Sequence, residues 1–430
     1  MFSARLGFNS ITLLPIYQWI YEMAVDSSES VFDNVTNVVP NANGTNFYGI
    51  INYSNLVFKF DNYGNILWQF TVSLPVDPNV SIYMPIVVDS SENVYVGVVT
   101  TGTGISNNLY LLKLNSYGDI QYTTVVTLSS NSWGDAQLVL SQTNNVLYIF
   151  GQYSTGFQAY VIRINTTNGS ILNYTQTANN ISVNAAEICC LYGTDQIVGN
   201  FHSTSNISYF VKYNSGDVTI SNAYTQTLTG YDLILIAMTN GPSGLIYSLC
   251  YDTINSYFII NATNPSTGIQ SASYIINPSP ADVLYTDICV NSSNTVYLCS
   301  NAPTAAGGVD VYAISPIGTI VWARKIVWSS YNIHYASIYA DSGYLTITCH
   351  AYSSSQDFVV IIRILDSGPV SGTYGNYTIS NTSVTLTNAG TSTTASTSIT
   401  NTTPISVTTS SPTTTKTTTT LGPLTQTIIS

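Results

Sequence analysis

One unit written seven times constrains this chain more than any other feature. The unit reads as two or three apolar residues, a basic residue, an apolar residue, Asn or Asp, a short glycine-containing turn and a second apolar run. It occurs as VFKFDNYGNILW, YLLKLNSYGDIQY, YVIRINTTNGSILNY and YFVKYNSGDVTI, and more loosely as YFIINATNPSTGIQ, DVYAISPIGTIVW and VVIIRILDSGPVSG. The turn glycines are Gly64, Gly118, Gly169, Gly216, Gly268, Gly318 and Gly368, separated by 54, 51, 47, 52, 50 and 50 residues. A fixed period of this size is the signature of a repeat architecture.

Each copy is preceded by another apolar run, polar turn and alternating run, as in IVVDSSENVYVGVVT, LVLSQTNNVLYIFG and ICVNSSNTVYLCS. Each unit therefore supplies four short strands. Asn and Gly provide the positive φ that tight hairpins need, and the β-branched and aromatic residues suit a pleated sheet. No stretch sustains a 3.6-residue apolar period, so helix is not expected. Four strands per unit, seven times, predicts an all-β fold, a seven-bladed β-propeller, with a Thr/Ser-rich C-terminal extended tail. Closure removes the open sheet edges that would otherwise template aggregation.

The VDSSENVYV hairpin, Val88 to Val96, and the strand pair from Lys59 to Trp68 resemble the bacterial-type β-propeller repeat family (SBBP) and, more distantly, the quinoprotein-like propellers. The resemblance runs from Val25 to Tyr377, although the terminal Trp of the unit returns only at Trp322. It implies a fold and little about activity, because propellers host many functions.

Five of the nine basic residues, Lys59, Lys113, Arg163, Lys212 and Arg363, occupy one register of the repeat, just before the turn. Ile260 and Ala313 are read as filling that slot in the other two units. A cation ring for an anionic ligand is one reading. The favoured reading is a repeated bond to a carboxylate or carbonyl of the next blade, since half-buried cations need partners. Asp89, Asp119, Asp217 and Asp341 are the acids in register.

The expected organisation is an N-terminal segment 1–32, a propeller over 33–377 and a stalk or subunit-linking tail over 378–430. Ile11 to Val25, broken by Pro15, Gln18 and Glu22, reads as a strand that closes the ring, with a secretory signal cleaved near Ala24 as the alternative. No run is long and apolar enough for a membrane span. In the tail, Ser and Thr fill 22 of the 30 positions from Thr391 to Thr420. Such tracts have little apolar area to offset ordering entropy, and commonly form extended, O-glycosylated spacers. Their alternating Thr also suits a strand that engages a neighbour.

Charged residues are only 7% of the chain and its net charge is −12, which excludes a phosphate-neutralising role and hence nucleic acid. Covalent glycan could supply the missing solubility. Asn-x-Ser/Thr acceptors stand at Asn34, Asn43, Asn52, Asn79, Asn165, Asn168, Asn173, Asn180, Asn206, Asn261, Asn291, Asn376, Asn381 and Asn401. Among the six cysteines, a three-residue turn at Ser293 to Thr295 would set Cys289 opposite Cys299 as a cross-strand disulfide; buried thiols are the alternative.

Chemistry-bearing motifs are sparse. His202, His334 and His350 are isolated in sequence, and DSSEN at Asp89 to Asn93 reads as a β-turn rather than a calcium loop. No catalytic residue, metal or cofactor is expected. The predicted function is an extracellular or surface structural glycoprotein, a subunit of a fibre, filament or coat, with itself and glycans as partners and no enzymatic activity. An adhesion module that binds glycan or protein is the alternative, and a polysaccharide-acting enzyme the third reading.

Overall fold

The structure is a computed structural model. It describes the chain except residues 1–17, 26–35, 42, 52–55, 74–80, 84–85, 102–107, 129–132, 142, 154–158, 178–182, 191–194, 204–206, 229, 278–286, 302–307, 330, 342, 353–356, 390–392, 397–400, 403–406, 411–414, 418–424 and 429–430. All regular structure among the described residues is β.

Seven antiparallel sheets follow one another along the chain. Blade 1 is built from Thr36–Pro40, Asn46–Ile51, Leu56–Asp61 and Ile66–Ser73. Blades 2 to 6 repeat the pattern, ending on fourth strands Ile120–Leu128, Ile171–Thr177, Ile220–Thr227, Gln270–Asn277 and Ile320–Trp328. Blade 7 takes three strands, Asn332–Asp341, Tyr344–Tyr352 and Asp357–Leu365, from the end of the repeat region. Its fourth strand, Trp19–Val25, comes from the other end of the chain and pairs with Asp357–Arg363. The first strand of each blade touches the first strand of the next all the way round, blade 7 against blade 1 included, so the ring is closed.

Each wedge is held by apolar side chains between neighbouring sheets. The middle strands are buried on both faces, as in LVFKFD of blade 1 and VDVYAI of blade 6, so they read as continuous apolar runs rather than alternating ones. A contiguous cluster including Ile20, Trp328, Ile362 and Tyr377 packs blade 6, blade 7 and the closing strand together.

The C-terminal segment is the unforeseen part of the architecture. After a short hairpin, Gly372–Tyr374 and Tyr377–Asn381, on the rim of blade 6, its strands travel backwards round the ring. Thr385–Asn388 pairs with blade 5, Thr393–Ser396 with blade 4 and Asn401–Thr402 with blade 3. Val407–Ser410 pairs with blade 2, Thr415–Thr417 with blade 1, and Thr425–Ile428 with the closing strand of blade 7. Every pairing is antiparallel to a fourth strand, so each blade gains a fifth. The physical reason is that strand addition uses main-chain N–H and C=O groups, which Thr and Ser carry as well as any apolar residue, on edges that would otherwise stay unpaired.

Candidate functional site

Two regions gather the polar chemistry of the chain: the end of the propeller that carries its tight turns, and the outer rim. In a four-stranded antiparallel blade the first-to-second and third-to-fourth turns lie at one end. The repeated glycines and basic residues are therefore brought together there.

At that end blades 1 to 6 each grip the third-to-fourth turn of the following blade. Trp68 of blade 1 lies on Gly118 of blade 2, where a Cβ would stand 2.9 Å from the indole, and its Nε1–H donates to the Ser116 carbonyl at 3.0 Å. Tyr122 covers Gly169, Tyr224 covers Gly268, Tyr274 covers Gly318 and Trp322 covers Gly368 in the same way. The glycines thus satisfy two demands at once, a left-handed φ and the close approach of an aromatic ring. Gly216 departs from this pattern. Its turn runs from Asn214 to Val218, as wide as those that end at Gly169 and Gly268, but the glycine stands two residues early and Val218 occupies the left-handed position with φ of 49°. The preceding blade offers Asn173 there, whose Nδ2 donates to the Gly216 carbonyl at 3.2 Å.

The basic register joins the same junctions. Lys59 Nζ donates to Glu92 Oε2 of blade 2 at 2.8 Å and to the Ser116 carbonyl at 3.3 Å. Lys113 Nζ reaches the Thr166 carbonyl and Arg163 Nη1 the Gly216 carbonyl, each at 2.8 Å and each in the following blade. Arg363 instead forms a two-pronged pair with Asp341 of its own blade, at 2.8 and 2.9 Å, and its guanidinium lies 5.3 Å from the Phe47 ring centre of blade 1. At Lys212 the corresponding junction is served by the Tyr224 hydroxyl, which donates to the Ser266 carbonyl. Counted from the turn, the residue of blade 5 in this slot is Ala262, not Ile260: it stands two before Asn264, as Arg163 stands two before Asn165.

Glu92 is the centre of the first junction. Asn41 Nδ2, Asn46 Nδ2, the Tyr48 hydroxyl and Lys59 all donate to its carboxylate, at 2.6 to 3.2 Å. Burial works to raise its pKa, but the bonds from Lys59, Tyr48 and Asn41 and the Lys59 charge outweigh burial and hold the carboxyl at about 2. Its backbone is left-handed, φ 61°, where the equivalent turns place Gly44, Asn144, Gly244 and Asn294. A Glu at such a position is kept by its surroundings. Of the in-register acids, Asp341 meets a register cation, Arg363, in an ion pair. Asp89 caps its own turn, accepting from Ser91 N, Asn93 N and the Tyr95 hydroxyl, as an ordinary β-turn residue. Asp217 accepts from Thr219 N and Thr219 Oγ1, and the Asn115 side chain caps the turn that ends at Asp119.

Several expected sites look different in the fold. Cys289 is opposite Tyr297 and Cys299 opposite Asp287, because the hairpin centres on Ser293 and not one residue later. The left-handed Asn294 and the Asn291 side chain, which accepts from Ser293 N and Thr295 N, set that register. Cys250, Cys289, Cys299 and Cys349 are buried free thiols. Asn261 is buried with its Oδ1 accepting from Gln270 and Ser273, and Asn291 spends its Nδ2 on the Tyr297 hydroxyl and Asp366. The Asn261 Nδ2 faces the buried Cys250 Sγ at 3.9 Å, and with the Nδ2 groups of Asn291 and Asn173 it is committed to the fold. Asn43, Asn168, Asn376 and Asn381 are exposed, and Asn165 is half-buried. Asn34, Asn52, Asn79, Asn180 and Asn206 lie outside the described residues, and Asn401 is described only as part of a rim strand.

On the innermost strands, the Asp287 carboxylate is used structurally, accepting from Ile288 N and from Ile338 N of the next blade. Burial, only partly opposed by the Ile338 and Ile288 N–H bonds, raises its pKa to about 6. Among the described residues there is no cluster of three or more potential metal ligands and no helix long and apolar enough to cross a membrane.

No family model matches the chain, and no curated protein matches it. Among solved structures, it is similar to a subtype N10 neuraminidase-like protein of A/little yellow-shouldered bat/Guatemala/060/2010. The two share 8% identity at a TM-score of 0.44, over 67% of this chain and 96% of that one. The expectation that the chain has no enzymatic activity is corrected by this neighbour, whose name is neuraminidase-like, and is withdrawn. At that distance the likeness assigns no activity to this chain either.

Proposed function

We propose that the protein is an extracellular or surface structural subunit, in which the closed propeller is a rigid head and the Thr/Ser-rich arm joins one head to another by strand exchange. One observation carries this reading: the arm supplies a fifth strand to every blade through separate holds of two to five residue pairs. Each hold is too short to be stable alone, and together they act by high effective concentration. The same edges on a second copy would receive the same strands, which is the condition for domain swapping into an open chain of subunits. Glycan on the exposed Asn43, Asn168, Asn376 and Asn381 would serve a surface that has few charges.

The test mixes two differently labelled preparations, partly unfolds and refolds them at high concentration, and follows light scattering and electron micrographs. Mixed oligomers that a chain ending at Gly390 cannot form support the reading. Monomers under every condition, with or without the arm, would refute it. Peptide mapping of protein made in a glycosylating host tests the surface assignment, with sugar expected at the exposed acceptors and none at Asn261.

A further inference from the structure

The junction between blades 5 and 6 contains a cavity of about 250 Å³. Its place in the repeat explains its existence. At the first three junctions the cation of the register fills the equivalent space and donates to a carbonyl of the next blade's turn. In blades 1 and 2 a Tyr directly across the strand pair lies against the cation: Tyr48 opposite Lys59, with the ammonium 5.0 Å from the ring centre, and Tyr95 opposite Lys113 at 5.4 Å. Blade 5 keeps that tyrosine as Tyr247 but sets Ala262 opposite it. The aromatic wall, the Tyr274 latch and the turn of blade 6 remain, while the lysine stem and its charge are gone.

The other alanine of the register sits in filled surroundings. Opposite Ala313 stands Tyr297, and Trp322 packs 6.1 Å from it, with the Tyr297 hydroxyl and Trp322 Nε1–H both donating to the Asp366 carbonyl.

We propose that the blade 5–6 cavity binds a small linear alkylammonium ion. The ion would lay its methylenes between Ala262 and Ile314 and present its ammonium to the Tyr247 ring and the Pro316 carbonyl, the counterpart of Ser116 in the turn of blade 2. A butylammonium ion has five heavy-atom groups. At roughly 30 Å³ per group, the share a water takes in the liquid, the ion requires about 150 Å³, which the cavity accommodates. A cation over a tyrosine face is favourable and strengthens as water is excluded. No carboxylate lines the cavity, so the expected dissociation constant is on the order of 1 mM.

The experiment titrates n-butylammonium chloride into the full chain by ligand-observed NMR, with n-pentanol as the uncharged probe of similar length. Saturable binding is expected in the wild type, at least fivefold weaker for pentanol and at least tenfold weaker in Ala262→Lys and Ala262→Met, which fill the cavity from within. Absence of saturable binding, equal binding of pentanol, or undiminished binding in a folded Ala262→Met would each overturn the proposal. A crystal soaked with 3-bromopropylammonium, in which bromine replaces the terminal methyl of butylammonium, locates the site without any variant. Bromine between Tyr247 and Ile314 supports the assignment, and bromine found elsewhere alone refutes it.

Discussion

Replacing Glu92 by Gln keeps the shape of the first junction and removes its negative charge. In the folded protein the carboxyl is held at about 2, against an ordinary 4.5, by donors from Lys59, Tyr48 and Asn41 that outweigh its burial. At ~1.4 kcal/mol per pH unit, that difference sets an upper bound of about 3 kcal/mol on what the ionised form contributes. The side chain keeps 28% of its surface in water, and after allowance for solvent screening the expected cost of E92Q at pH 7 is about 2 kcal/mol. The sign follows from linkage. A carboxyl depressed in the folded state stabilises fully above its unfolded value, and the contribution is lost as pH falls through the folded value. The gap in denaturation midpoint between wild type and E92Q should thus be constant from pH 7 to about pH 5 and shrink steadily between 4.5 and 2. Urea titrations followed by tryptophan fluorescence at several pH values read it directly. K59M completes a cycle: because Lys59 is itself buried, the double variant should lose about 2 kcal/mol less than the sum of the singles. A gap that is the same at pH 7 and pH 2.5, or strictly additive variants, would show that the Glu92 network does not hold blade 1 to blade 2.

Three further outcomes follow from the same geometry. Gly244 and Gly318 share φ values of 78° and 76°, but only Gly318 has a ring seated on it. G244A should cost about 1 kcal/mol for backbone strain alone and G318A about 3 kcal/mol, so equal thermal shifts would deny the aromatic latch. Burial lifts Cys250 and Cys349 to about 12, and Cys289 and Cys299 well above the usual thiol range. All four should resist iodoacetamide at pH 8 in the native chain and react once it is unfolded; a linked Cys289–Cys299 peptide in a non-reduced digest would contradict this. Ending the chain at Gly390 strips the fifth strand from five blades, so the amides of Val125–Leu128, paired with Val407–Ser410 in the intact protein, should exchange at least tenfold faster by mass spectrometry. Unchanged exchange would mean that the arm does not lie on blade 2.

The blade count and the closed ring were legible because both rest on repetition. Gly64, Gly118 and, except for Gly216, their successors take a left-handed turn position, and spacing them every 50 residues or so states how many sheets there are. The basic register was legible for the same reason. What escaped was whatever departs from the repeat. Val218 takes the left-handed place two residues beyond Gly216, in a turn as wide as those that end at Gly169 and Gly268, and blade 5 carries Ala262 rather than a cation two residues before Asn264. Glu92 was hidden because its neighbour Asp89 is the residue that repeats, while the donors to Glu92 arrive from Asn41, Asn46 and Lys59, dozens of residues away. The course of the arm was hidden more deeply. Apolar patterning marks segments that bury side chains, and strands such as Val407–Ser410 are held through main-chain pairing, on which composition is silent.

A density map of the intact protein viewed down the ring axis bears most directly on this architecture. It should show seven wedges closed by Trp19–Val25, each carrying a fifth strand at its outer edge contributed by the chain from Tyr377 onward. Six or eight wedges, a gap between the first and the last, or an outer edge left bare by the arm would contradict it.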